Sequence, residues 1–272
     1  MGAAGNAAQD RHPCDPALPV TIATSGRTAV VTGAASGIGA ALARHAARQG
    51  MAVAACDRDA HGLVRLEADL DAAGIAHCLR VVDVTKADEL ASFAAECVEL
   101  LPPTALLFVN AGVLRGGGVL YMPAADWRLL FDINVLGAIG TLQAFVPAMV
   151  AHGHGGQVVV TGSTGSMVVA PDLAAYCATK HALWPVTEAL DAELQGTGVG
   201  VSLLMPGAVA TPIFDAVDPD RAPPADSITP EAAAVIAFDG ARARRAKILT
   251  HPGYVDRAAR RFEASLADLR GE

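Results

Sequence analysis

Six short apolar runs alternate with helix-like stretches along most of this 272-residue chain, and that rhythm leaves few folds open. The runs are Thr28–Thr32, Met51–Cys56, Ala76–Val82, Ala105–Val109, Gln157–Thr161 and Val199–Met205. Continuous apolar character over so few residues marks strands buried on both faces. Helical periodicity fills the gaps over Ile38–Gln49, His61–Ala73, Ala87–Leu101, Ala124–Ala151 and Leu173–Gln195. Gly50 and Gly74 close the first two helices, and Pro102-Pro103 forces a break after the third. The pattern predicts an α/β fold, a doubly wound parallel sheet with helices on both faces, in one domain over 26–272. Pro212, Pro219, Pro223, Pro224 and Pro230 interrupt the rhythm, so 206–240 is expected to be a loop region covering a substrate site. Ala246–Thr250 is a candidate last strand and Val255–Leu269 a terminal helix. Residues 1–25, rich in Ala, Gly and Pro without periodicity, are expected to form a flexible tail.

Composition narrows the function classes. Hydrophobic residues make up 52% and aromatics 4%, so the core must be mainly Ala, Val and Leu. A net charge of −8 argues against nucleic acid or an anionic membrane as partner. No apolar run is expected to reach the ~18 residues of a membrane span, and the start lacks the order of a signal peptide. Five cysteines (Cys14, Cys56, Cys78, Cys97 and Cys177), without CxxC spacing, predict a reducing, cytoplasmic setting and no metal site.

The first strand ends in Thr32-Gly33-Ala34-Ala35-Ser36-Gly37-Ile38-Gly39. A glycine-rich turn before a helix lets backbone approach a pyrophosphate, and the helix N-terminus supplies free N–H groups. The spacing here is GxxxGxG rather than GxGxxG, and a glycine turn alone can be merely a tight turn. Asp57, at the end of the second strand and 24 residues after Gly33, adds weight. Its carboxylate can accept hydrogen bonds from adenosine ribose hydroxyls and repels a 2′-phosphate. Arg58 beside it could bind that phosphate instead, but Ser36 brings no positive charge, so NAD is expected over NADP. Asp83, after the third strand, can accept from an adenine amino group or simply cap a helix.

Tyr176 and Lys180 lie four residues apart, which places both on one helix face. An ammonium beside a phenol is expected to favour the phenolate and lower the tyrosine pKa from about 10. Such a tyrosine exchanges a proton with an alcohol or carbonyl oxygen. Ser163 lies thirteen residues before it.

TGAASGIG at 32–39, NAG at 110–112, Asn134 in INVLG, Ser163 in VVVTGS, YCATK at 176–180 and PG at 206–207 together resemble the short-chain dehydrogenase/reductase family. The resemblance covers about 28–212 in the family's order and spacing. It implies a Rossmann domain and a catalytic tetrad of Asn134, Ser163, Tyr176 and Lys180, with Ser163 and Tyr176 contacting substrate. It also implies a nicotinamide cofactor contacted by Gly33, Ser36, Gly37, Ile38, Gly39, Asp57, Arg58, Asp83, Val84, Asn110, Ala111, Gly112, Tyr176, Lys180, Pro206, Gly207, Val209 and Thr211. Thr211 is implied to touch the carboxamide, Lys180 to hold the nicotinamide ribose, and Asn134 to keep a water and Lys180 in a proton relay. Two departures are mild: a TGS where the family often has two serines, and Cys177 after the tyrosine.

Other features take plainer readings. His152-Gly153-His154 reads as a loop without a third metal ligand. His181 points about 100° away from Lys180 on its helix and reads as structural. Arg242, Arg244, Arg245 and Lys247 read as a solvated helix face, and Trp127 and Trp184 as core or interface anchors. The expected reaction is hydride transfer between nicotinamide and a secondary alcohol or its ketone. Apolar loop residues (Val113, Leu114, Met167, Val168, Val169, Leu173, Ile213, Phe214) point to a lipophilic substrate. Alternatives are an NADPH-dependent biosynthetic ketoreductase and a non-catalytic nucleotide-sensing protein. Surplus apolar residues on the helices at 124–151 and 173–195 predict a homo-oligomer, tetramer or dimer, unless the terminal helix covers them.

Overall fold

The structure, a computed structural model, describes residues 22–216 and 224–271. Seven parallel strands form one sheet in the order β3-β2-β1-β4-β5-β6-β7. They are β1 (Thr28–Thr32), β2 (Ala52–Asp57), β3 (His77–Val81), β4 (Thr104–Val109), β5 (Gly156–Thr161), β6 (Val199–Met205) and β7 (Lys247–Leu249). The helices are α1 (Gly37–Arg48), α2 (Ala60–Ala72), α3 (Ala87–Leu100), α4 (Ala124–Phe131), α5 (Gly137–Ala151), α6 (Ala174–Glu193), α7 (Pro230–Arg242) and α8 (Tyr254–Arg270). This is the doubly wound parallel sheet expected from the alternation, with the candidate last strand in place as β7.

The two-residue period of the strands splits the core between the two faces of the sheet. Val30, Ala54, Cys56, Leu107, Val109, Val158, Val160, Val201 and Leu203 point to one face, under α3, α5 and α6. Ala29, Val31, Val53, Ala55, Leu106, Phe108, Val159 and Leu204 point to the other, under α1, α2 and α7. Each fully buried Val, Leu or Phe among them contributes about 1.5–3 kcal/mol by leaving water. With so few aromatics, small side chains bring the helices close: α1 and α7 meet through Ala41, Leu42, Ala234, Ala237 and Ala241, with Phe238 edge-on to His45 at 4.8 Å.

The structure corrects several expectations. The segment 206–240 is not loop throughout, because α7 occupies it from Pro230 onward. Thr229 caps that helix by accepting from the Ala232 N–H at 3.2 Å, and Pro230 sits in its first turn, where a missing N–H costs nothing. Within the stretch expected to be a tail, Ile22 is buried and belongs to the core under α1, α2 and α7, while 1–21 lie outside the described residues. The long helix over 124–151 is two α-helices joined by a π-helical turn, Asp132–Leu136. Within that 28-residue stretch an apolar window reaches the mean hydropathy (1.7) of a bilayer-crossing helix, contrary to expectation, yet 56% of that window is buried within the fold. The basic run at 242–247 is not simply solvated. Arg244 donates to the Gly198 carbonyl at 2.8 Å, and Lys247 pairs with Glu188 at 3.1 Å while lying over the Trp184 ring.

Two glycines mark where helices press on the turn after β1. A Cβ on Gly39 of α1 would lie 1.9 Å from the Gly33 carbonyl oxygen, and one on Gly62 of α2 would lie 2.4 Å from the Ala35 Cβ. The second position carried no signal in the sequence beyond being a glycine in a helix. Gly62→Ala should therefore overpack this corner and cost about 1–3 kcal/mol. A thermal melt should fall by several degrees for a chain of this size; an unchanged melting temperature would show that α2 can back away.

Candidate active site

Strand order reverses at β1, whose neighbours β2 and β4 feed helices to opposite faces. At such a switch point the loops diverge and leave a crevice beyond the carboxyl ends of the strands. Here the crevice is a cavity of about 770 Å³, lined by residues from the ends of β1 to β6.

One end is shaped by the turn after β1. Gly33 and Gly37 have φ of +69° and +52°, the left-handed region that glycine enters without strain. Ser36 is the N-cap residue of α1 but makes no side-chain cap, and no acid stands in the first turn. The first N–H groups of α1 and its positive end are thus left for an anion. Asn110 ties this turn to the end of β4: its Nδ2 donates to the Thr32 and Gly33 carbonyls at 3.2 and 3.3 Å. The Asn110 and Ala111 N–H groups in turn donate to Thr32 Oγ1. Asp57 holds the turn from the other side, accepting from the Ala35 N–H and the Asp59 N–H, each at 3.0 Å. Its carboxylate and Arg58 both line the cavity, as do Ser36, Ile38, Val84 and Thr211. Gly39 lies behind this surface, packed against Gly33. Asp83 accepts from the Thr85 N–H and hydroxyl, and those bonds hold its carboxyl below the usual carboxylate range. It does not cap α3, whose N-cap is Lys86.

The other end gathers Ser163, Tyr176 and Lys180. Ser163 Oγ accepts from the Gly165 N–H at 3.0 Å at the start of a short 3₁₀ turn. Ser166 closes that turn, accepting from the Ser163 N–H and donating to the Lys180 carbonyl at 2.7 Å. Ser166 carried a readable signal, a second hydroxyl three residues after the first, as in a capping box. Tyr176 and Lys180 stand one turn apart on α6, with Lys180 Nζ 5.7 Å from the tyrosine ring centroid. Nζ donates to the Thr161 carbonyl at 2.9 Å. The π-helical turn brings Asn134 into this group. Its Oδ1 accepts from the Val113 N–H at 2.8 Å, and its Nδ2 donates to the Val113 carbonyl and to Thr179 Oγ1. Asn134 Oδ1 and Lys180 Nζ converge on Gly112, where a Cβ would meet them at 3.2 and 3.3 Å. Pro206, Gly207 and Val209 close the wall after β6, with His251 Nδ1 3.2 Å from the Gly207 nitrogen.

The electrostatics correct one expectation. Burial raises the Tyr176 phenol to about 12, with the Ser163 hydroxyl working in the opposite direction. Burial also pulls Lys180 down to about 8. The ammonium does not lower the phenol here, because it is turned towards the Thr161 carbonyl and desolvation outweighs a charge at that distance.

The matching family model, described as short chain dehydrogenase, covers residues 27–222. The chain belongs to the short-chain dehydrogenase/reductase family. Among curated relatives, a 1-deoxy-11-beta-hydroxypentalenate dehydrogenase of Streptomyces exfoliatus is 37% identical over 72% of each chain. A galactitol 2-dehydrogenase (L-tagatose-forming) of Cereibacter sphaeroides is 40% identical over 68% of this chain and 72% of that one. A crystal structure of a family member from Burkholderia phymatum in complex with NAD superposes with a TM-score of 0.84 at 32% identity, covering 90% of this chain and 96% of that one. Like them, this short-chain dehydrogenase/reductase is an oxidoreductase of the nicotinamide-dependent class. The cavity fits such a cofactor, with an uncapped α1 N-terminus, a turn of glycines and small side chains and a carboxylate at one end, and a phenol at the other.

The structure also adds cavity residues that the sequence did not single out: Arg115, Leu129, Asp132, Tyr254 and Arg257. None belongs to a short motif, and α8 reaches the site only through the tertiary fold. The plainer readings fare differently. Among the described residues no cluster suits a metal, and His181 bonds the Cys177 carbonyl at 2.8 Å.

Proposed function

We propose that this protein interconverts a lipophilic secondary alcohol and its ketone with NAD, using Tyr176 as the proton-transfer group. The carrying observation is that Ser163 and Tyr176 share one cavity with the apolar side chains of Leu114, Val168, Leu173, Ile213 and Phe214. The cofactor, when bound, supplies or accepts hydride. Tyr176 gives a proton to the carbonyl oxygen in reduction and takes it from the hydroxyl in oxidation. The Ser163 hydroxyl donates to the same oxygen and stabilises charge developing there. Asn134 fixes the Val113 backbone and, with Gly112, positions Lys180. Tyr176→Phe should lower turnover at least ~10²-fold, the scale of a positioned acid–base group, with cofactor binding nearly unchanged. A phenol held near 12 is protonated at neutral pH, so alcohol oxidation should accelerate as pH rises, while ketone reduction should not. A panel of neutral secondary alcohols and ketones, followed by absorbance of the reduced nicotinamide, measures both. Near-normal activity of the phenylalanine variant would overturn the assignment.

Preference for NAD over NADP is supported by the position of Asp57. It is anchored by two backbone N–H groups, so it cannot swing away from a 2′-phosphate without losing both. Arg58 lines the same end and supports the alternative of an NADPH-dependent ketoreductase. Asp57→Ala should raise NADP use relative to NAD by removing repulsion and freeing space for Arg58. An unaltered protein that already prefers NADP by tenfold, about 1.4 kcal/mol, would contradict this reading.

A homo-oligomer, tetramer or dimer, is the proposed assembly. Much of the surplus on α5 and α6 is buried within the chain, but Phe131 at the end of α4 (36%) and Leu136 in the π-helical turn (58%) are exposed. The terminal helix does not take up the surplus, since Ala258 is its one buried residue. It adds exposed apolar surface instead: Val255, Phe262, Leu266 and Leu269 follow one another at seven-, four- and three-residue steps, a stripe that suits a helix partner. Cytoplasmic placement rests on the cysteines, of which Cys56, Cys78, Cys97 and Cys177 are buried free thiols. Sedimentation at micromolar concentration tests the assembly; a mass near the 27.7 kDa of one chain would refute it.

A further inference from the structure

Beyond Arg58, two further guanidinium groups line the cavity alongside its apolar side chains. Arg115 stands on the loop after β4, next to buried Leu114, and Arg257 on the first turn of α8. They reach one cavity from segments 142 residues apart. Arg115 Nη1 donates only to its neighbour's carbonyl, at Leu114, leaving the rest of its fork open. Among the described residues, neither arginine lies within 4.0 Å of a carboxylate, and Arg257 makes no side-chain hydrogen bond. The cavity's carboxylates are distributed unequally. Asp57, Asp59 and Asp83 belong to the strand ends around Arg58, and Asp132 is the other one on the wall.

Arg257 is not on a loose appendage. Four residues on, Arg261 Nη1 donates to the Met167 carbonyl at 2.7 Å and lies 2.7 Å from His181 Nε2. One turn apart, the two arginines share a helix face. Arg261 therefore pins α8 to the segment Met167–Ala170, and Val168 to Ala170 of that segment form the wall of the cavity. Tyr254, three residues before Arg257, packs on the core beneath. The arrangement fixes where the Arg257 stem begins, on the rim of the apolar lobe.

We propose that the substrate carries a carboxylate remote from the reacting carbinol, and that Arg115 and Arg257 bind it. This rests on the oxidoreductase reading above and names the substrate class as hydroxy or keto acids with an apolar frame. A guanidinium offers two parallel N–H donors that match a carboxylate. The anion also orients the frame, so that one carbinol of several reaches Tyr176.

The test uses protein saturated with NAD and titration calorimetry with adamantane-1-carboxylate, its neutral carboxamide and cyclohexyl phosphate. The carboxylate should bind at least about tenfold tighter than the carboxamide. The double variant Arg115→Gln, Arg257→Gln should bring the two within about twofold, while NAD affinity and melting temperature hold. Each single variant should lose part of the preference. Equal binding of carboxylate and carboxamide to the unaltered protein, or a preference that survives the double variant, would overturn the proposal. Tenfold tighter binding of the phosphate ester would overturn the choice of carboxylate. Turnover of neutral alcohols is measured separately, so the oxidoreductase reading and the carboxylate site fail independently.

Discussion

The contact between α1 and the turn after β1 is the constraint on which the site depends. At Gly39 the helix passes so close to the Gly33 carbonyl that no side chain fits. Asn110 then bolts the end of β4 to the same turn through both carbonyls. These contacts hold three backbones together at the point where strand order reverses. They also keep the first N–H groups of α1 pointed into the crevice rather than into a capping side chain. The turn carries only glycines and small side chains, so selectivity at this end falls to what surrounds it: Asp57, Arg58 and Thr211.

Burial governs the chemistry at the other end. Lys180 is buried and bonded to the Thr161 carbonyl, so its ammonium contributes little to the phenol in this geometry. A tyrosine near 12 is poised as a proton donor. Ser163, whose hydroxyl favours the phenolate, is the internal counterweight. Ser166 matters to both, since one hydroxyl joins the Ser163 N–H to the Lys180 carbonyl and keeps the 3₁₀ turn in register with α6.

The parts of this molecule legible in the sequence are those set by local rules. Strand runs, the glycine turn and the four-residue spacing of Tyr176 and Lys180 are short-range patterns, and the sheet and the convergence of the site follow them. Features decided by tertiary contact were not legible. The π-helical turn shifts Asn134 by one extra residue within an unbroken apolar stretch, which leaves the periodicity of the stretch almost unchanged. Helix α7 was hidden by the prolines that precede it, although Thr229-Pro230 is a fair start signal. The Tyr176 phenol lies above, not below, its usual range because charge proximity can be read from spacing but desolvation cannot. Arg115 and Arg257 belong to no motif, and only the folded chain brings them to one cavity.

That last pair changes how the cavity is to be understood. Asp57, Asp59 and Asp83 stand at the strand ends where an adenosine would lie, while Arg115 and Arg257, without a carboxylate partner among the described residues, line the cavity from the loop after β4 and from α8. A cleft with such polarity does not treat all lipophilic alcohols alike. An uncharged ligand gains only from the apolar walls, and the arginines must stay solvated at their expense. An anionic ligand satisfies the arginines and fills the walls together. It is also kept from the adenosine end, where it would face Asp57, Asp59 and Asp83. Charge placement alone therefore sets both the class of ligand and its direction in the site, which apolar contact without polar anchors cannot do.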